Sequence, residues 1–263
     1  MTAPRLIATD LDGTVVRSDG TISDRTRAAL AAVEEAGAIL VLVTGRPPRW
    51  MPAIVEATGH RGLAICANGA LVYDLHTDRV VQHSLMSADD VAHVVEALRR
   101  DVPGISFAVE RHDTGFAHEP SYRPRWDSGD PKQVQPIEAL IADGVAKLLA
   151  RHEGMGPDEL LATAHRSVGT RGTLTHSSTD GLLEISAAGV SKASGLAALA
   201  AEHGIGPTDV VAFGDMPNDL PMLSWAGLGV AVANAHPEVL SVADEVTASN
   251  DDDGVAQVLA RWF

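Results

Sequence analysis

The chain has 263 residues, enough for one large domain or two moderate ones, and at 45% hydrophobic and 21% charged its composition is that of an ordinary globular protein. The formal net charge of −15 excludes a non-specific nucleic-acid binder and requires any site for an anion to be locally positive. A single cysteine, Cys66, excludes an intrachain disulfide or a cysteine-based zinc site; with no apolar signal region and no run long enough to span a membrane, a soluble, cytoplasmic protein is expected.

The first apolar run, residues 6–9, ends in Asp10-Leu11-Asp12-Gly13-Thr14. In extended chain, residues i and i+2 point to the same side, so both carboxylates are expected to face one small volume at a strand tip. Held that close they repel, unless a divalent metal sits between them or one is a nucleophile and the other a proton donor. Asp12-Gly13 also reads as a turn, which explains Gly13 but not Asp10. Ser23 is placed to cap a helix running to about residue 36, with Gly37 as its stop. Residues 38–43 form a second apolar run ending in Thr44-Gly45-Arg46, and Pro47-Pro48 suit the first turn of another helix. A third run, residues 63–67, ends in Asn68-Gly69-Ala70. Uninterrupted apolar strands joined by helices predict a parallel sheet covered on both faces.

The middle of the chain has a different pattern. Helices are predicted near residues 88–100, 137 and 158, an alternating strand at 105–110, and a hairpin formed by 173–177 and 182–186 around Thr179-Asp180-Gly181. Residues 119–136 are rich in Pro, Arg and Asp and read as a long surface loop. The last third returns to the first pattern: helix 192–203, strand 210–213, helix 220–225, strand 229–233 and a final helix near 255–262. An α+β unit inserted into a doubly wound α/β core is the simplest architecture.

Three further signals lie where open α/β sheets bind ligands. Thr44-Gly45 offers a hydroxyl and backbone N–H groups suited to phosphate oxygens, or simply a turn before the helix. Lys192 opens a helix and adds charge to an already positive N-terminus, although such a lysine is commonly just solvated. Gly214-Asp215-Met216-Pro217-Asn218-Asp219 packs two carboxylates and an amide at a strand tip, which is unfavourable without a nearby cation. Asn218 or Asp219 could instead cap the next helix. Of the three lysines, Lys132, Lys147 and Lys192, only the last falls at such a place. The acidic run at 251–254 lacks the alternating ligands of a calcium loop and reads as a cap for the last helix. The eleven histidines show no paired metal-binding spacing.

In this order the signals resemble the motifs of the haloacid dehalogenase (HAD) superfamily of phosphotransferases. Asp10-Leu11-Asp12-Gly13-Thr14 is similar to the first motif, Thr44 to the second, Lys192 to the third and residues 214–219 to the fourth. Asn68-Gly69-Ala70, Gly189-Val190-Ser191-Lys192 and Asp253-Gly254-Val255-Ala256 are similar to phrases of its Cof-like subgroup, subclass IIB. The resemblance implies a Rossmann-like core formed by residues 1–82 and 187–263, with an inserted α+β cap, residues 83–186, that sets substrate specificity. It implies a phosphatase acting through an aspartyl-phosphate, with Asp10 as nucleophile and Asp12 as general acid and base. Mg²⁺ would be held by Asp10, the backbone carbonyl of Asp12, and Asp215. Asp219 would stand just outside these ligands and orient Lys192. Thr44, Gly45, Lys192 and Asn218 would hold the phosphoryl oxygens.

The implied ligand is a small phosphorylated metabolite (a sugar phosphate, a nucleotide or a cofactor phosphate), with no nucleic acid, membrane or obligate protein partner. A phosphomutase, or a phosphatase dedicated to one sugar phosphate, is the alternative within the same subclass. A catalytically silent binding or regulatory protein is the alternative outside it, yet none of Asp10, Asp12, Lys192 and Asp215 is missing. Arg46, Arg123, Arg125 and Trp126 are candidates for substrate contacts, against the simpler reading of surface ion pairs and packing. The cap carries no legible substrate motif.

Overall fold

Four apolar or small residues make β1 (Leu6–Thr9), and all four are buried because the strand lies inside a sheet covered on both faces. The computed structural model describes residues 3–112, 115–125 and 133–263. Contacts divide the chain into two compact units, Met1–Val81 with Ser191–Phe263, and Gln82–Val190.

After β1 come α1 (Asp24–Glu35), β2 (Ile39–Val43), α2 (Met51–Thr58), β3 (Leu63–Cys66), β4 (Leu71–Asp74) and β5 (Arg79–His83). The intervening segment holds α3 (Ala88–Asp101), β6 (Ser106–Glu110), β7 (Phe116–His118), β8 (Gln133–Val134), α4 (Ile137–Leu140), β9 (Lys147–Arg151), α5 (Pro157–Val168), β10 (Thr173–Thr175) and β11 (Leu182–Ser186). The chain then continues through α6 (Lys192–Glu202), β12 (Val210–Gly214), α7 (Leu220–Trp225), β13 (Leu228–Ala231), α8 (Pro237–Val242), β14 (Glu245–Val246) and α9 (Gly254–Leu259).

The larger sheet has the order β14-β13-β12-β1-β2-β3-β4-β5. From β14 to β3 every pairing is parallel, and β1 sits between β12 and β2 with Thr9 opposite Phe213 on one side and Leu42 on the other. The carboxyl ends of β1, β2, β3 and β12 therefore open on one edge. The parallel pattern stops at β4, which runs antiparallel to β3 with Cys66 opposite Leu71. Only the turn 67–70 separates them, far too short for the crossover that a parallel pair needs.

Ser23 caps α1 by accepting the Thr26 N–H at 3.0 Å, as its sequence position predicts. The acidic run at 251–254 behaves differently from its expected capping role. Asp253 occupies the N-cap position of α9, but its carboxylate accepts from Ser23 Oγ at 2.6 Å and Arg17 at 2.7 Å, while Asp251 accepts from Ser18. These carboxylates tie the two ends of the chain together, because α1 packs against α9 and its positive N-terminus is the nearer partner.

The second unit is a sheet of order β10-β11-β9-β6-β7-β8. One face, carrying Phe107, Val109, Leu148, Ala150, Leu183 and Ile185, packs with Val94 and Leu98 of α3 and Leu160 and Ala164 of α5 in one core. By the alternation of strands, Glu110, Lys147, Arg151 and Glu184 point to the other face, and all four are buried. Lys147 is ion-paired with Glu184. The Arg151 guanidinium lies 5.7 Å from the centre of the Tyr122 ring. The surface-loop reading of residues 119–136 needs correction at its start and end. Glu119 and Tyr122 are buried, and β8 pairs with β7. Arg123 is exposed, Arg125 is paired with Glu153 and Asp180, and Trp126 and Lys132 lie outside the described residues. Among the described residues no helix is long and apolar enough to cross a membrane.

Candidate active site

β1 delivers Asp10 by continuing as a strand, with the Asp10 N–H donating to the Phe213 carbonyl at 3.0 Å. Extended backbone then ends. The N–H groups of Thr14, Val15 and Val16 all turn back to the Leu11 carbonyl, at 3.2, 3.0 and 2.8 Å. Gly13 stands at φ +78°, and a Cβ there would come within 2.3 Å of Asp215 Oδ2, so the turn can pack on Asp215 only with glycine in this position. The turn separates the two carboxylates that the period of two would have placed together. Asp10 is buried on Lys192, whereas the Asp12 side chain is 57% exposed and held by Arg46, through Nε at 2.7 Å and Nη2 at 2.5 Å. The surface ion pair anticipated for Arg46 thus exists, but its partner is a candidate catalytic residue.

β2 delivers Thr44, whose N–H reaches the Ile65 carbonyl at 2.8 Å. The Thr44 hydroxyl oxygen accepts the Arg46 N–H at 3.0 Å, which leaves the hydroxyl proton to donate elsewhere. Gly45 lies in the same bend. Ser191 caps α6 and starts it at Lys192. The Lys192 ammonium is fully buried and contacts Asp10 Oδ1 at 2.7 Å and Asp219 Oδ1 at 2.6 Å. Beyond β12, Asp219 folds back so that its Oδ2 accepts the N–H groups of Asp215 and Met216, both at 3.0 Å. Asp215 accepts the Thr14 hydroxyl at 2.9 Å. Asn218 donates to Asn68 Oδ1 at 3.1 Å.

The electrostatics follow from this packing. Burial pushes the Asp10 carboxyl well above its ordinary range against the pull of Lys192, and the charges of Asp219, Asp215 and Asp12 push it further. Burial, with Asp219, pushes Asp215 up to about 7, opposed by the Thr14 hydrogen bond and Lys192. Burial alone would lower Lys192, but the Asp10 and Asp219 carboxylates more than offset it and hold the ammonium charged. With all three carboxylates ionised, against the push toward their neutral forms, the cluster would carry two negative charges in excess of its one ammonium.

A model for the haloacid dehalogenase-like hydrolases matches residues 7–259. The chain belongs to the haloacid dehalogenase-like hydrolase family. It is 29% identical to the 5-amino-6-(5-phospho-D-ribitylamino)uracil phosphatase YcsE of Bacillus subtilis, over 98% of this chain and 95% of that one. It is also 29% identical to the pyridoxal phosphate phosphatase YbhA of Escherichia coli, over 97% of each. Among solved structures, the HAD phosphatase BT1666 of Bacteroides thetaiotaomicron superposes with a TM-score of 0.81 at 25% identity, over 98% of this chain and 95% of that one. The hydrolase is thus an enzyme, and hydrolysis of phosphoric monoesters is the reaction class that fits its phosphatase relatives.

Phosphatases of this family generally use a divalent metal, and the residues present fit one. One ligand oxygen from each of Asp10, Asp215 and Asp219 lies within 4.8 Å of the others. These are hard oxygen donors that leave two negative charges uncompensated when ionised, the chemistry that Mg²⁺ or a similar cation satisfies. Both oxygens of Asp219 are already engaged by protein groups, so Asp10 and Asp215 are the more available pair. The Asp12 side chain is not part of this cluster. Sequence reasoning gave Asn68 only as part of a subgroup phrase, because an Asn-Gly pair after an apolar run reads as a turn; the structure brings it onto Asn218.

The hydrolase also has a pH signature. A carboxyl held above its unfolded value binds its proton more tightly in the fold, so its contribution is complete below about pH 4 and is lost as pH rises through about 7. In chelator, Asp215→Asn is therefore expected to match wild type near pH 4 and to melt roughly 5 °C or more above it at pH 8. Divalent metal should close the gap by stabilising wild type selectively. Melting curves across this range check the expectation, and a pH-independent difference would contradict it.

Proposed function

We propose that the hydrolase is a Mg²⁺-dependent phosphatase that cleaves a small phosphorylated metabolite through an aspartyl-phosphate. The observation that carries this reading is the convergence of Asp10, Lys192, Asp215 and Asp219 with Thr44 on one edge of the parallel sheet. An Asp10 carboxylate oxygen attacks phosphorus, the bond to phosphorus forms, and the bond to the leaving oxygen breaks in line. Lys192, the Thr44 hydroxyl, the Gly45 N–H and Asn218 hold the equatorial oxygens and absorb their growing charge. Asp12, as general acid, gives a proton to the leaving alkoxide. It then takes a proton from the water that attacks phosphorus and releases Asp10 and inorganic phosphate. Mg²⁺ would be held by Asp10, Asp215 and the backbone carbonyl of Asp12, and when bound would supply the remaining charge neutralisation. Asp219 keeps Lys192 aimed at Asp10. The inserted unit, residues 82–190, serves as the cap that selects the leaving group, with a phosphorylated alditol or pyridoxal as the class that the relatives' names suggest.

The test is phosphate release from a panel of phosphorylated metabolites, with Mg²⁺ and with chelator. Metal-dependent release from at least one member is expected, and no release from any would count against the reading. Asp12→Ala should lower kcat/KM by about 10²–10⁴-fold for alkyl phosphates and far less for aryl phosphates, whose leaving groups need no proton, while kcat falls for both because the aspartyl-phosphate loses its base. Equal losses of kcat/KM for both classes would remove Asp12 from the general-acid role.

A further inference from the structure

The tip of β3 carries the most unusual backbone in the first unit. Ala67, Asn68 and Gly69 stand at φ +50°, +57° and +99°, three positive values in succession, of which two belong to residues with a side chain. This turn is locked from three sides. The Asn68 N–H donates to the Thr44 carbonyl at 3.1 Å, and the Ala67 N–H donates to the Arg46 carbonyl at 3.0 Å. A Cβ on Gly69 would lie 2.0 Å from the Ser191 carbonyl oxygen, so this backbone presses directly on the residue before Lys192. The Asn68 side chain, 2% exposed, accepts from Asn218 Nδ2 at 3.1 Å. A single asparagine turn therefore touches the turns that carry Thr44, Lys192 and Asn218, and it comes from a fourth strand tip.

The pair is also incompletely satisfied. Asn68 Nδ2 and Asn218 Oδ1 are buried and have no hydrogen-bond partner. Buried amides are nearly always satisfied, and strained turns persist where the surrounding structure holds them for function.

We infer that Asn68 is a positioning residue of the phosphoryl site, fixing the plane of the Asn218 amide so that its second N–H meets a phosphoryl oxygen. The inference rests on the proposed phosphatase reading and deepens it. One N–H of Asn218 is held by Asn68 Oδ1, and because the amide is planar this sets the direction of the other. Without that anchor the side chain is free to rotate, and the donor loses its aim at the substrate. Asn68 acts on binding of the phosphoryl group, not on proton transfer, so its signature is in KM and in product affinity.

The experiment is a double-mutant cycle with p-nitrophenyl phosphate and Mg²⁺, on wild type, Asn68→Gly, Asn218→Ala and the double variant. Glycine accepts φ +57° without strain and removes only the side chain. Asn68→Gly is expected to raise KM, and the dissociation constant of inorganic phosphate, by about tenfold while kcat changes less. Asn218→Ala should do the same, and the double variant should be no worse than Asn218→Ala alone. Additive losses, a wild-type KM in Asn68→Gly, or failure of that variant to fold would each overturn the inference. If wild type released no phosphate from any ester, the phosphatase reading would fall. Calorimetric phosphate affinities of the same four proteins would still judge Asn68.

Discussion

Asp10→Asn should abolish turnover of every phosphate ester in Mg²⁺, by about 10⁴-fold or more, the scale reached when a covalent enzyme loses its nucleophile. The amide oxygen is a poor nucleophile, while the shape of the side chain is that of the carboxylate. That oxygen can still accept from Lys192, so the packing around the strand tip persists. Stability should move the other way from activity. Burial and three neighbouring carboxylates hold Asp10 toward its neutral form, and asparagine is neutral at every pH. In chelator at pH 8 the variant is therefore expected to melt at or above wild type, with the gain shrinking as pH falls and Asp10 takes up its proton. Two measurements check this: hydrolysis of p-nitrophenyl phosphate, and melting in chelator at pH 5 and 8. Retained turnover would remove Asp10 from the nucleophile role. A collapsed fold would mean that the carboxylate is held for structure.

What the sequence makes legible follows the range of the interactions involved. The core strands are visible because a strand buried on both faces must be almost continuously apolar, as Leu6 to Ala8 and Ile39 to Val43 are. The tips are visible because charge concentrated after such a run has few structural uses. The fate of each charge is not visible, because it depends on partners far along the chain. Asp10 and Asp12 look equivalent until the Leu11 turn sends one to Lys192 and the other to Arg46. Asp253 resembles a helix cap until Arg17 and Ser23 arrive from the other end of the chain. β9 escaped notice because Lys147 and Arg151 bracket only three apolar residues, and both charges are buried by Glu184 and Tyr122 from other segments. The contact of Asn68 escaped for the same reason, since its partner is 150 residues away.

Lys192→Met is the second variant expected to have a large effect, and it separates two roles of the lysine. The ammonium sits between Asp10 and Asp219, and all three groups are buried. Methionine has similar bulk but leaves two carboxylates facing each other without a cation. Breaking a buried ion pair from one side costs about 3–5 kcal/mol, or roughly 10 °C in melting temperature for a chain of this size. Turnover should fall by about 10³-fold, because the growing charge on the phosphoryl oxygens loses a preorganised cation. Adding Asp219→Asn to Lys192→Met removes one of the two stranded charges. Its remaining oxygen can still accept the N–H groups of Asp215 and Met216. Most of the lost stability should return, while turnover stays low, since neither change gives the phosphoryl group a cation. If the double variant regained turnover together with stability, Lys192 would serve only to neutralise its neighbours, and binding of the phosphoryl oxygens would pass to the Thr44 turn and Asn218.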